Sequence, residues 1–263
     1  MIFRKTNAQR RRHVAVTPSN STNRHLSYGR IILRDGDGPV AFENPGQETG
    51  LIVLSGAATV KALGKSFELT QYDSIYIPRG SSIEVEAKGS VDIAEFSADV
   101  VGDYPLKFVP FAEVTKDPAL RFSAGATGNQ RVVSITLGKN IDAGRLILGF
   151  TVSDPGNWTS WPPHEHAAML EEMYVYFDMP EPSFGLQLVY NDTRYPEMVT
   201  AVRDGDAVLI PQGYHPNVAV PGNRITFLWA MAAHREREDR QFGVVNVQPD
   251  FASGGSGLEA SRK

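Results

Sequence analysis

One short pattern occurs twice in this chain, and it limits the folds available. Asp73-Ser74-Ile75-Tyr76-Ile77-Pro78-Arg79-Gly80-Ser81-Ser82 and Asp206-Ala207-Val208-Leu209-Ile210-Pro211-Gln212-Gly213-Tyr214-His215 share Asp, Ile, Pro and Gly without a gap. Each copy reads as strand, tight turn, strand: the apolar run suits a pleated surface, and the Pro and Gly supply the turn. A strand pair precedes each copy, at residues 51–60 and at residues 173–190, where Pro180 and Pro182 separate the apolar runs. A duplicated strand unit predicts the same supersecondary structure built twice.

The chain has 263 residues, with 24 Gly and 17 Pro placed mostly between apolar runs. Few segments carry a helical period; residues 109–119 and 235–242 are expected to form short helices. The expectation is an all-β protein of two antiparallel barrels or sandwiches in tandem. Boundaries are placed at 1–120 for a first barrel and 121–250 for a second, with the junction inside 103–128. The Gly/Ser-rich stretch 251–263 is expected to be a flexible tail.

Composition narrows the partners. A net charge of -4 leaves no overall electrostatic footprint for nucleic acid. Cysteine is absent, which excludes disulfides and thiol nucleophiles and leaves N and O ligands for any metal. No apolar run reaches the length of a membrane span, and no hydrophobic signal core follows the basic start (Arg4, Lys5, Arg10, Arg11, Arg12). A cytoplasmic homo-oligomer with no nucleic-acid or membrane partner is expected. The basic start is read as a solvated or oligomer-docking arm in preference to a transit peptide or phosphate-binding arm.

The chemistry concentrates in the second half. In Pro163-His164-Glu165-His166 the two histidines are one residue apart, so on a strand both point to the same face. A carboxylate follows at Glu171 or Glu172, and His215 ends the second copy of the repeat. Three imidazoles and one carboxylate suit a divalent first-row ion: zinc, manganese or iron(II). Alternation along the strand groups Glu172 with Tyr174 and Tyr176, and Glu171 with Met173, Val175 and Phe177. Glu172 is therefore chosen as the ligand, with Glu171 as its competitor. A lone strand histidine is ordinarily hydrogen-bonded or at the surface, and His13, His25 and His234 are read that way. In the first half Ser82 stands where His215 stands in the second, and no His-x-His lies upstream. The first barrel is expected to be a metal-free structural or dimerising unit.

At these residues the sequence resembles the cupin superfamily, and within it the family that joins 5-deoxy-glucuronate isomerase to 4-deoxy-5-keto-uronate isomerase. The likeness is carried by Gly156 through His166, Leu170-Glu171-Glu172-Met173-Tyr174, Val208 through Pro216, and Glu48 through Gly56. Residues 176–180 and the run Thr226-Phe227-Leu228-Trp229 are closer to the pectin-pathway branch. The family's metal residues carry over to His164, His166, Glu172 and His215. Two positions depart from the pattern: Ala167 stands where the family often has an acid, and Glu165 where the inositol enzyme often has Lys.

The resemblance implies isomerisation of a deoxy-uronic acid, a small sugar acid, between aldose and ketose. A bound metal would polarise the carbonyl and adjacent hydroxyl and stabilise the charge that develops there. Glu171 and Tyr174 are the candidates for moving the proton. Arg131 and Arg203 are the candidates for holding the substrate carboxylate, through the forked donor geometry of guanidinium. Rival readings are a cupin iron dioxygenase and a non-catalytic sugar-binding or storage protein.

Overall fold

Alternating apolar residues on the central strands bury both faces, and this property organises the whole molecule. In the computed structural model, which describes residues 1–254, strand Gln47–Ala62 sends Leu51 and Val53 into one core and Ile52 and Leu54 into another. Strand Leu170–Tyr176 does the same, with Tyr174 and Tyr176 on one side and Met173 and Val175 on the other. Three cores result. One lies inside the first half, one inside the second, and a third is shared between the halves. Each fully buried aliphatic or aromatic side chain contributes about 1.5–3 kcal/mol, so the shared core fastens the two halves firmly.

Every strand pairing is antiparallel, and the fold is all-β apart from short helical turns. The first half is an eight-stranded sheet in the order Arg11–Val16, Ser27–Leu33, Ser82–Asp99, Gln47–Ala62, Ser74–Ile77, Lys107–Val109, with Val40–Glu43 and Lys65–Leu69 attached to its long strands. Those long strands shift register between Val53 and Ser55 and again between Gly56 and Ala58. The bulges bend the sheet around its core. Gly56 permits the second one: its φ is +77°, and a Cβ there would sit 1.9 Å from the Ser90 carbonyl oxygen.

The second half opposes two sheets. The larger runs Ile2–Phe3, Ala207–Ile210, Leu170–Tyr176, Thr226–Ala233, Leu146–Ser153, Arg131–Leu137, Arg121–Ala124. The smaller runs Trp158–Thr159, Asn217–Ala219, Gly185–Val189, Met198–Val202. The repeat is visible in the register: Thr49 pairs with Ile77 as Glu172 pairs with Ile210.

Several expectations meet a different arrangement. Ile2 and Phe3 pair with Val208 and Ala207, so the first strand of the chain lies in the second half's sheet, whereas the boundaries 1–120 assign it to the first barrel. The basic start is neither free nor solvated throughout. Arg4 donates to Asp206 (2.7 Å) and to the Ala201 carbonyl (2.6 Å), and Arg12 is paired with Glu95. Of the expected helices, only Phe111–Val114 forms in the first segment. Residues 235–242 make turns instead, because Arg237 takes a φ of 60° and breaks the helical path. The expected tail opens with a 3₁₀ turn at Pro249–Gly254; residues 255–263 of it lie outside the described residues. No helix among the described residues is long and apolar enough to cross a membrane.

Candidate metal centre

Four elements meet at one end of the second half's interior. Strand Leu170–Tyr176 presents Glu172 inward, on the side of Tyr174. Strand Ala207–Ile210 leads through the Pro211–Gly213 turn to His215, held as its carbonyl accepts from the Gln187 side chain at 3.0 Å. The short strand His164–Glu165 carries the His-x-His pattern, and strand Thr226–Ala233 provides Phe227, Trp229 and Met231 as a wall.

The imidazoles are oriented by the backbone. His164 Nδ1 lies 2.9 Å from the Pro162 carbonyl, His215 Nδ1 2.9 Å from the Gly213 carbonyl, and His166 Nδ1 3.3 Å from the Leu170 carbonyl. A carbonyl oxygen can only accept, so each Nδ1 donates its hydrogen and leaves Nε2 as the ring atom free to face the interior. The Nε2 atoms of His166 and His215 converge on Glu172 Oε2, at 3.0 and 3.1 Å, and the carboxylate accepts a hydrogen bond from His166. Although close, His215 Nε2 makes no hydrogen bond and is buried. Ligand atoms of His166, Glu172 and His215 all lie within 4.8 Å of one another. His164 stands just outside that group, its ring centroid 4.9 Å from that of His215 and 6.4 Å from that of His166.

A buried ring nitrogen with no hydrogen bond, packed against a buried carboxylate, is unfavourable unless a positive charge joins them. The donor set therefore fits a divalent cation, which would be held by His166, Glu172 and His215 with His164 beside them. Ionisation behaves accordingly. Burial alone would raise the Glu172 carboxyl, but the hydrogen bond and charge of His166, with His215 close by, bring it down to about 2. Burial would lower His166, yet Glu172 outweighs it and the pKa rises. For His164, burial and the neighbouring His215 lower the pKa to about 3, so this ring stays neutral. Tyr174 is pushed well above the usual phenol range by burial and the nearby carboxylate; its hydroxyl is 2.7 Å from Ser160 Oγ.

A cavity of about 50 Å³ adjoins these groups. Arg131 lines it, its Nη1 and Nη2 donating to the Asn129 and Trp161 carbonyls at 2.9 Å each. Tyr174 and Ser160 line it as well.

Two candidates from the sequence lie elsewhere. Glu171 points away from the cavity, into the junction between the halves. Its carboxylate accepts from the backbone N–H groups of Arg24 (2.7 Å), His25 (2.8 Å) and Leu26 (2.6 Å), so it is neither a ligand nor a base here. Arg203 sits over the Phe184 ring at 5.5 Å, and it does not line the cavity. The reason is the length of strand Ala207–Ile210, which separates the Arg203 turn at one end from His215 at the other. The sequence reading also passed over Thr151, Ser160 and the wall Phe227, Trp229 and Met231. Alternation carried that signal, since Trp229 pairs directly with Tyr174. Nothing in the sequence marked Phe242 to Val245, which close another side. In the first half the corresponding positions hold Thr49, which accepts from Asn44 at 3.0 Å, and exposed Ser82, and no imidazole joins them.

Comparison with known proteins places this architecture. Residues 1–248 match the model of the KduI/IolB family. The chain is 31% identical to the 5-deoxy-glucuronate isomerase of Geobacillus kaustophilus over 83% of each chain. It is 27% identical to that of Bacillus subtilis strain 168 over 78% of this chain and 80% of the relative. Among solved structures, an IolB-like protein from Salmonella typhimurium superposes with a TM-score of 0.82 at 26% identity, covering 90% of this chain and 93% of that one. Bacillus subtilis oxalate decarboxylase, a protein with Mn(II) centres, shares the fold alone, with a TM-score of 0.64 at 13% identity over 88% of this chain and 76% of that one.

Proposed function

The chain belongs to the KduI/IolB family, and from that premise we propose that it is a metal-dependent ketol-isomerase converting 5-deoxy-glucuronate to 5-dehydro-2-deoxygluconate in inositol catabolism. The observation that carries this reading is the buried, unbonded Nε2 of His215 beside the Glu172 carboxylate, within a set of imidazoles all fixed through Nδ1. We assign His164, His166, Glu172 and His215 as the residues that hold one divalent ion, zinc or manganese, with iron(II) also suited to the donor set. When bound, that ion polarises the carbonyl and adjacent hydroxyl oxygens of the sugar.

The residues of the chain do the rest. Arg131 supplies the positive charge that a uronate carboxylate requires at the cavity wall. Tyr174 keeps its proton at working pH and offers it, backed by Ser160, to a substrate oxygen. The apolar wall of Phe227, Trp229 and Met231 excludes water and suits the methylene of a deoxy sugar better than a hydroxylated carbon. The expected setting is a cytoplasmic homo-oligomer.

A second reading concerns the hydrogen that moves between neighbouring carbons. With Glu171 turned away, no carboxylate other than Glu172 lines the cavity among the described residues. That favours direct transfer of hydrogen from carbon to carbon over relay through a side-chain base.

Proton NMR in heavy water tests both readings on zinc- or manganese-loaded protein given 5-deoxy-glucuronate. Conversion to the ketose supports the isomerase, and a fully metallated, folded protein that leaves the sugar unchanged refutes it. Absence of solvent deuterium beside the carbonyl supports direct transfer, and its incorporation at every turnover supports a base.

A further inference from the structure

The cavity has one wall that does not come from the barrel. The last barrel strand ends at Ala233, and the chain returns so that Phe242, Gly243, Val244 and Val245 cover the site. Among the described residues this strap is attached at few points. Asn246–Val247 pairs with His164–Glu165 in a ladder of two residues per strand. The Asn246 amide donates to Glu165 Oε1 at 2.5 Å, and the Gln248 N–H donates to the Pro163 carbonyl at 2.8 Å. The Tyr190 hydroxyl donates to the Gln248 side chain at 2.9 Å. Ring contacts add to the attachment: Phe242 stacks on Trp229 with centroids 5.0 Å apart and packs on the core of the second half, and Phe251 meets Trp161 at 5.0 Å. Between Phe242 and Val245 no backbone group forms a hydrogen bond to the barrel among the described residues.

The space left beside the ligands under the strap is small for a sugar. Its volume of about 50 Å³ holds only a few waters, at roughly 10–15 Å³ each. A deoxy-hexuronate has about a dozen non-hydrogen atoms, and small-molecule sites bury most of the surface of what they bind. Movement of a wall would make room for it. Strand Leu170–Tyr176 is fixed by ladders on both sides, to Ala207–Ile210 and to Thr226–Ala233, whereas the strap is held by a two-residue ladder and side-chain contacts. Segments with few buried contacts and few protected backbone hydrogen bonds open most readily. Gly243, at φ +85°, gives the strap a left-handed turn just where it leaves Phe242.

We propose that residues 242–251 are a lid over the metal site, hinged at Gly243 and latched to the His-x-His strand through Glu165 and Asn246, and that the lid lifts to admit and release the sugar acid. The need to open and the identity of what passes rest on the isomerase reading; the sparse attachment of the strap does not. The latch has a consequence for the site. Glu165 lies between the two histidines of the ligand set, so the latch bears on the strand that carries them. An ordered strap also shields the site from bulk water during turnover.

Because the native chain has no cysteine, a single cross-link can be introduced cleanly. Glu165 and Asn246 face each other in the ladder with touching side chains, as a disulfide requires. The experiment uses the full chain carrying Glu165→Cys and Asn246→Cys, oxidised and then reduced. Amide hydrogen exchange read by mass spectrometry on metal-free protein should show the 242–248 peptide exchanging at least about tenfold faster than the 170–176 peptide when reduced, and slowing on oxidation. Turnover of metal-loaded protein should fall by about tenfold or more on oxidation and return with dithiothreitol. Exchange at 242–248 as slow as at 170–176 in the parent would overturn the lid. So would an oxidised protein that turns over as fast as the reduced one. If the parent fails to convert the sugar at all, the exchange measurement still decides whether the strap opens, and the isomerase reading alone is lost.

Discussion

Glu48 and Glu171 hold the same place in the two copies of the repeat, and each reaches into the opposite half. Glu48 accepts from the backbone N–H groups of Gly144, Arg145 and Leu146, at 2.8, 2.7 and 2.7 Å, and from the Tyr76 hydroxyl at 2.6 Å. Glu171 accepts from Arg24, His25 and Leu26, at 2.7, 2.8 and 2.6 Å. The two carboxylates form a reciprocal clasp across the junction, each gathering the start of a strand in the other half. Both are buried, and both are satisfied by several donors, which is what makes a buried carboxylate tolerable.

Glu48→Gln tests the clasp away from the metal site. An amide oxygen accepts more weakly than a carboxylate, and the amide NH₂ meets other donors. The loss expected is about 2–4 kcal/mol, or a melting temperature lower by roughly 5–15 °C for a chain of this size. Thermal unfolding followed by circular dichroism reads it, with zinc or manganese content of the folded variant unchanged.

His215→Ala removes the imidazole whose Nε2 is left without a hydrogen bond. Metal content by elemental analysis should fall to background while the fold survives, since the position lies in the connection between Ala207–Ile210 and Asn217–Ala219, outside the shared core. The same analysis of His164→Ala should show loss of metal as well. Full occupancy in either variant would remove that residue from the ligand set.

Arg131→Lys keeps the charge and loses the forked geometry. The expected effect is a KM for the deoxy-uronate higher by roughly tenfold to a hundredfold, with kcat less affected and metal content unchanged. Steady-state kinetics on the metal-loaded variant measures it.

His164 gives a pH signature in metal-free protein. Its folded pKa of about 3 lies below the ordinary histidine value of 6.5. The unfolded chain therefore takes up a proton that the folded chain refuses, and the stability linked to this group is present above pH 6.5 and lost as pH falls towards 3. Comparing denaturant unfolding of the parent with His164→Gln isolates the contribution, because His166 and Glu172 are present in both. The stability advantage of the parent should shrink between pH 7 and pH 5, by at most about 1.4 kcal/mol per pH unit.

Much of this molecule could be read from its sequence, for physical reasons. Period-2 alternation separated Glu172 from Glu171 because strand Leu170–Tyr176 is buried on both sides, so each face had to choose a core. The repeated turn identified His215 because its Pro and Gly fix where a strand ends. What alternation could not say is what the other face touches. It gave the correct face for Glu171 but not the three N–H groups from residues 24–26 that occupy its carboxylate. Arg203 was misplaced because distance along the sequence from His215 says nothing about which end of a strand a turn occupies. The pairing of Ile2–Phe3 with Ala207–Ile210 and the closing of the cavity by residues 242–245 are contacts between distant segments with no local pattern of their own.

The central claim is that three imidazoles and Glu172 share one divalent ion. Crystallography of zinc-loaded protein, with anomalous data at the zinc edge, addresses it directly. The account predicts a single anomalous peak about 2.0–2.2 Å from Nε2 of His164, His166 and His215 and from a Glu172 oxygen. A zinc-saturated crystal with no peak between these side chains, or with its zinc bound elsewhere, would contradict it.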